Sequence, residues 1–416
     1  STQSTWEGEM AEGGCSSYRH FSWLPKACMP NNNDTSPILP AKPSNISGSR
    51  RNSAISVLPD DLLLECLSRI PSSSLSSISS VCRRWSLLIA SPDFLSLRRL
   101  RSLLLPAILV FSSSPTNCTL LVSSLGTLDG QWKVGPFIPF KSGMPADVSH
   151  SRLSAIGPRV YIIGHDETLC YDSWSGALTP RCPMLFPPRK FATAVDLGKI
   201  YVTGGADLQE YDPDRDVWRV VSRSPRIRYN CTAAAVEGLV YVIGGLKVGS
   251  NEAPRVAAAG ADSRAYLASM DVYDVEGAAW LRSRAVPGGG CAVAACAAAG
   301  HLYVLASHAV ELSFWRFDGR RKGNGFGDWC KLRSPTLGAQ TRLDSRVRFT
   351  CVMLEAKVVL IQVNGSIDDL LRRSGRTARG HKEGLVLIYD LAADEWARGP
   401  DLPDLVQRAA CVCGEM

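Results

Sequence analysis

Apolar and polar residues alternate by three different rules along the chain. Up to about residue 54 they follow no period. Stretches such as Pro30-Asn31-Asn32-Asn33-Asp34 and Ser44-Asn45-Ile46-Ser47-Gly48 hold too little apolar surface to order themselves, so residues 1–54 are expected to be a disordered tail. Between 55 and 102 the spacing becomes helical. Leu63, Leu67 and Ile70 share one face, behind an Asp60-Asp61 pair suited to a helix N-terminus and ahead of Pro71. A second periodic stretch runs through Leu75, Ile78, Val81/Cys82, Trp85 and Leu88/Ile89 to Pro92, and a third carries Phe94, Leu97 and Leu100. Three helices are expected. So few residues cannot hide all that apolar surface among themselves, and the uncovered face calls for a partner or for the rest of the chain.

From about residue 103 the pattern is that of short strands punctuated by Gly, Pro and Asp. A motif of the form Gly-x-apolar-Tyr-Val-x-Gly-Gly spans Gly198 to Gly205 and again Gly238 to Gly245, and Tyr161, Tyr201 and Tyr241 stand 40 residues apart. An aromatic followed seven residues later by Trp recurs as Tyr211/Trp218, Tyr273/Trp280 and Tyr389/Trp396, with weaker copies at Leu125/Trp132, Tyr171/Leu178 and Phe317/Trp329. Each unit reads as four strands, a to d. The glycines allow a tight exit from strand b, and Tyr and Trp are plates that fill the space between neighbouring sheets. The glycine pair is replaced by Gly164-His165, Ala306-Ser307 and Gln362-Val363 in other units. Six units are expected. The first lacks a strand a, whereas the chain ends on Gln407 to Cys413, which aligns with one. That tail is expected to complete the first unit.

Two resemblances follow from these residues. Leu58-Pro59, Asp61, Leu63, Cys66-Leu67, Ile70, Leu75, Val81-Cys82-Arg83-Arg84-Trp85, Leu88 and Pro92-x-Phe94 resemble the F-box in order and spacing. Residues 103–416 resemble the kelch β-propeller, a ring of four-stranded blades, which implies that the tail strand closes the ring and removes its exposed sheet edges. The combination is similar to plant-type F-box/kelch-repeat proteins, substrate receptors of SCF ubiquitin ligases. The resemblance implies a mostly β chain: a disordered tail (1–54), a three-helix F-box module (55–102) and a six-bladed propeller (103–416). It implies a Skp-type adaptor, and through it a cullin, as partner of Leu58, Pro59, Leu63, Leu67, Ile70, Leu75, Val81, Cys82, Trp85 and Leu88. It also implies a client protein held for ubiquitination and degradation, a non-catalytic role, and residence in the cytoplasm or nucleus. A kelch scaffold acting without a ligase is the alternative.

Alternation of strand direction puts the b–c and d–a loops at one end of such a ring. The two long insertions, about 246 to 269 and 364 to 384, are both b–c. The same end carries Arg189, Lys190, Arg226, Arg228, Arg346, Arg348 and Arg408, and the second insertion adds Arg372, Arg373, Arg376, Arg379 and Lys382. The c–d turns are mostly acidic (Asp172, Asp212, Asp214, Asp216, Asp274, Glu276, Asp390, Asp394, Glu395), apart from Arg320, Arg321 and Lys322. One reading is a basic face that captures an acidic client segment through the seven d–a cations. The other is ordinary solvated arginines, with Asp in turns because Asp suits turns.

Composition narrows the classes further. The 416 residues are 45% apolar with a net charge of +7, mildly basic and without the dense stripe that nucleic acid requires. No segment reaches the ~20 apolar residues of a membrane span. The opening STQSTWEGEM lacks an initiator Met and the apolar run of a signal peptide. The 14 cysteines are irregularly spaced with no Cys-x-x-Cys, which reads as reduced, buried thiols. The histidines at 20, 150, 165, 301, 308 and 381 show no ligand spacing, so neither a metal nor another cofactor is expected. Some kelch propellers are copper oxidases, but nothing here supplies the His/Tyr set of such an enzyme. Gly323-x-Gly325-x-Gly327 falls in a c–d turn, not between a strand and a helix, so it is no nucleotide loop.

Overall fold

The computed structural model describes residues 54–114, 119–127, 130–139, 148–247, 267–288, 291–308, 311–322, 325–335, 348–364, 384–406 and 408–416. The expected disordered tail, the bulk of both b–c insertions with Arg372, Arg373, Arg376, Arg379 and Lys382, and Arg346 lie outside the described residues.

The helical module contains four α-helices, not three: α1 (Asp60–Leu67), α2 (Ser72–Ser79), α3 (Arg83–Ile89) and α4 (Pro92–Leu100). The second periodic stretch is broken because the hydroxyls of Ser79 and Ser80 donate back to the carbonyls of Ser76 and Ser77, after which Cys82 is fully extended. Apolar positions continue in phase across that break, so the periodicity does not reveal it. Ser91 caps α4 by accepting from the Phe94 amide at 3.2 Å, with Pro92 at the first helical position. Leu63, Leu67, Leu75, Ile89 and Phe94 form the core of the module. Buried Arg98 spans it: its guanidinium donates to the carbonyls of Ser68, Ile70 and Leu103 and to the Ser72 hydroxyl, satisfying the chain where α1 ends and α2 begins.

The remainder is a ring of six antiparallel sheets. Blades two to six begin with inner strands Arg152–Ile156, Ala192–Asp196, Thr232–Val236, Cys291–Ala298 and Arg348–Leu354. The inner strand of blade one is the C-terminal Ala410–Glu415, paired antiparallel with Pro106–Ser114. It also packs against the inner strands of blades two and six, so the six inner strands form a closed circle. At the b–c exit of blade four, Gly244 has φ +64° and a Cβ there would lie 2.8 Å from Ala292 of the next blade, which explains the recurring glycine.

The repeated Trp does more than fill space. The rings of Tyr211/Trp218, Tyr273/Trp280, Phe317/Trp329 and Tyr389/Trp396 lie 4.9–5.3 Å apart within their blades. Each indole N–H then donates to the strand d or outgoing chain of the preceding blade. Trp218 reaches the Cys182 carbonyl, Trp280 the Ser222 hydroxyl, Trp329 the Ala285 carbonyl and Trp396 the Arg333 carbonyl. Trp132 of blade one reaches the Pro400 carbonyl of blade six, across the closure. Blade two, with Leu178 in place of Trp, lacks this bond.

The helical module is seated on that exceptional blade. Trp174, in its c–d turn, meets Phe94 edge-on at 5.7 Å, and the Arg98 guanidinium lies 5.7 Å over the same indole. Leu95 packs on Gly157 in the a–b turn. Arg99 grips the Glu415 carboxylate, its Nη2 donating to Oε2 at 2.7 Å and its Nε to Oε1 and Oε2 at 3.3 and 3.1 Å, and Leu105 and Met416 exchange backbone hydrogen bonds. The module therefore sits at the a–b and c–d end of the ring, opposite the b–c and d–a loops, and holds the strand that closes it.

Candidate functional site

The helical module presents an apolar surface that its own chain does not cover. Val57, Val81 and Leu87 are 70%, 61% and 62% exposed, and Leu62 and Leu100 are exposed too. Arg84 links two of these segments: it pairs with the Asp60 carboxylate at 2.7 Å and donates to the Leu58 carbonyl. The Leu58-Pro59 turn is thereby tied to the start of α3, next to Val81 and Cys82.

Three residues expected on that surface are elsewhere. Leu63, Leu67 and Leu75 are buried in the core of the module and support the surface from behind. Their helical spacing marks an apolar face but not which side of it stays open. Pro59, Val81 and Cys82 are exposed, whereas Leu58, Ile70, Trp85 and Leu88 are half-buried. Val57, Leu62 and Leu87 are additional exposed positions that the periodicity did not single out.

At the opposite end, the seven expected cations separate by what they touch. Arg189 and Lys190 are exposed, with the Lys190 ammonium 5.2 Å above the Tyr229 ring. Arg348 is half-buried at the start of its inner strand, Arg408 is exposed, and Arg346 lies outside the described residues. Arg226, 44% exposed, is already paired with Asp271 at 2.8 Å. Arg228 is not a surface residue at all. It is 1% exposed, and its guanidinium holds Asp271 Oδ2 at 2.9 and 2.7 Å, the Gly244 and Ser269 carbonyls and the Ser269 hydroxyl. This buried pair fixes the stem of the first b–c insertion, where Arg228-Tyr229 pairs with Leu246-Lys247. Leu185, Phe186 and Ile227 are exposed at the same end. Buried Gln209 holds the Phe186 peptide from both sides, at 3.1 and 2.6 Å, so that knob is fixed in place.

The acids of the c–d turns have local duties. Asp172, Asp212, Asp274 and Asp390 each accept backbone amides two or three residues ahead, and Asp216 and Asp394 accept the hydroxyls of Tyr211 and Tyr389. Turn chemistry accounts for their recurrence. Among the described residues no cluster of His, Cys, Asp and Glu could hold a metal ion.

Residues 55–97 match the F-box domain family. F-box/kelch-repeat protein At5g26960 of Arabidopsis thaliana is 52% identical over 410 residues, which cover 95% of this chain and 98% of that protein. F-box/kelch-repeat protein At1g67480 and F-box protein AFR, from the same plant, are 28% and 27% identical over 217 and 198 residues, covering 54% and 53% of their own lengths. A helical module matching the F-box, a six-bladed ring and this identity along nearly the whole length together make the chain a member of the F-box/kelch-repeat family.

Proposed function

We propose that this chain is the substrate-receptor subunit of an SCF-type ubiquitin ligase. The helical module docks a Skp-type adaptor, and the loop-rich end of the propeller holds a client protein. The observation that carries this reading is the apolar surface around Val57, Val81 and Leu87, left open on a module whose own core is complete. Such a surface exposed on a folded domain marks a protein interface. Catalysis would belong to the ligase. The receptor raises the effective concentration of client lysines near a charged ubiquitin-conjugating enzyme, and the junction built from Trp174, Phe94, Arg99 and Glu415 keeps the two ends in register. On the client face, Arg189, Lys190 and Arg348 remain as cations for an acidic segment, with Leu185, Phe186 and Ile227 as apolar anchors.

The test is co-purification with a Skp-type adaptor. Val81→Glu and Leu87→Glu each place a charge on the open surface and should abolish capture while thermal unfolding of the free protein stays unchanged. The Leu58→Ala/Pro59→Ala double variant should weaken it. Full capture by both charged variants would refute the docking surface. A wild-type chain that retrieves client but no adaptor would favour a scaffold without a ligase.

A further inference from the structure

The inner strands of blades five and six each carry a cysteine on the face where the two blades meet. Cys296 lies in Cys291–Ala298 and Cys351 in Arg348–Leu354. Buried positions alternate along the first of these strands, so Ala294, Cys296 and Ala298 share the face turned to blade six. The two flanking alanines leave room for the neighbouring strand to come close. The sulfurs meet there: the Cys351 thiol donates to Cys296 Sγ at 3.0 Å, across 55 positions of sequence. Phe314, Phe349 and Leu387 pack in the same cluster, so the pair is held in an apolar seam.

That separation is about 1 Å longer than a disulfide bond, a gap that small side-chain rotations can close. Either cysteine alone would pack as a small apolar residue. What sets these two apart is that the fold aims each sulfur at the other. Burial, and then the hydrogen bond to Cys296, hold the Cys351 thiol well above the usual range, so the pair stays reduced until an oxidant small enough to enter reaches it. Both strands are the innermost of their sheets, so no further strand stands between the pair and the middle of the ring.

We propose that Cys296 and Cys351 are a redox-sensitive pair, which hydrogen peroxide converts to a disulfide that clamps blades five and six together. The Cys351 thiol donates, which leaves the Cys296 sulfur as the one placed to attack. In the first step a Cys296 S–O bond forms and the peroxide O–O bond breaks. The displaced hydroxide takes the Cys296 proton and leaves as water, and Cys296 becomes a sulfenic acid. In the second step the Cys351 sulfur attacks Cys296, the S–S bond forms and the S–O bond breaks. The hydroxyl leaves with the Cys351 proton as a second water. Two thiols have lost two electrons and one peroxide has become two waters. The bond closes a loop of chain that runs through both blades, which restricts the unfolded state and stabilises the ring. A thiol reductant reverses it. The proposal stands apart from the receptor reading.

The test uses the full chain, reduced, freed of reductant and treated with stepwise additions of hydrogen peroxide. The monomeric fraction is denatured, its remaining thiols are blocked with iodoacetamide, and tryptic peptides are mapped without reduction. The peptide bearing Cys351 should be linked to the one that holds Cys291 and Cys296, and the link should persist in Cys291→Ser. The melting temperature should rise by about 5–10 °C and return to its starting value with dithiothreitol. Cys351→Ala should show neither the link nor the rise. The mapping on wild-type protein decides the pair even where Cys351→Ala is too unstable to melt cleanly. If exposed Cys66 and Cys182 are oxidised while Cys351 is recovered as a free thiol, the pair is refuted. A link lost in Cys291→Ser would overturn the assignment to Cys296, and a link that leaves the melting temperature unchanged would overturn the clamp.

Discussion

Replacing Arg228 by Met should destabilise the propeller far more than its place in a d–a loop suggests. The substitution removes both bonds to Asp271 Oδ2 and the donors to the Gly244 and Ser269 carbonyls, inside a site where Arg228 and Asp271 are 1% and 2% exposed. Asp271 would keep Arg226 and the Ser283 hydroxyl on its other oxygen, at 2.8 and 2.7 Å. Breaking a buried pair from one side costs about 3–5 kcal/mol. At roughly 2 °C per kcal/mol for a domain of this size, the melting temperature should fall by about 6–10 °C. Asp271→Leu should cost at least as much, since it leaves a fully buried cation without an anion. The Arg228→Met/Asp271→Leu double variant should lose much less than the sum of the two, because an apolar pair needs no counter-charge. Arg226→Ala, on an exposed partner of the same carboxylate, should stay within about 1 kcal/mol. Urea titrations followed by tryptophan fluorescence would measure all four. A loss in Arg228→Met no larger than that in Arg226→Ala would refute the buried-pair assignment. The result also bears on client capture: a capture defect in an Arg228 variant would report a damaged blade, whereas Arg189 and Lys190 can be changed without that confusion.

Three further outcomes are expected. Deleting residues 410–416 removes the inner strand of blade one together with Glu415, so the soluble, monomeric yield should collapse although only a short tail is lost; a monodisperse truncated protein on gel filtration would contradict ring closure by that strand. Under brief iodoacetamide treatment, exposed Cys66, Cys82, Cys182 and Cys330 should label first. Cys351 and Cys411, whose thiols burial raises well above the usual range, should label only on unfolding; peptide mass spectrometry separates the two groups. Trp174→Ala should leave both the module and the ring folded but loosen their junction, read as faster limited proteolysis at Arg101 than in the wild type.

Periodicity in the sequence was enough for the repeated four-strand units and the helical module, because burial of one face repeats wherever the structure repeats; the ring followed from the kelch resemblance. The Tyr and Trp spacing is the clearest case. The same indole must meet the same neighbouring strand in blade after blade, so selection on one contact writes a pattern that can be counted. The unpaired strand at the C-terminus was legible for a related reason, since a ring leaves no place for an odd strand.

Fates of single side chains were not legible. The break between α2 and α3 depends on two serine hydroxyls that turn back on their own helix, and Leu63, Leu67 and Leu75 share their spacing with residues that stay exposed. Arg226 and Arg228 stand two apart in one loop and look alike, yet one reaches solvent and the other is sealed against Asp271, 43 positions further along the chain. Arg152 is an ordinary first residue of a strand until the next blade brings the Phe191 carbonyl and ring against it. Local pattern determined which segments are helix or strand and how many times the unit recurs, because those depend on neighbours in sequence. Which arginine is sealed, which reaches solvent, and which end of the ring carries the helical module depend on charges and faces brought together from distant segments, and only the closed tertiary structure decides them.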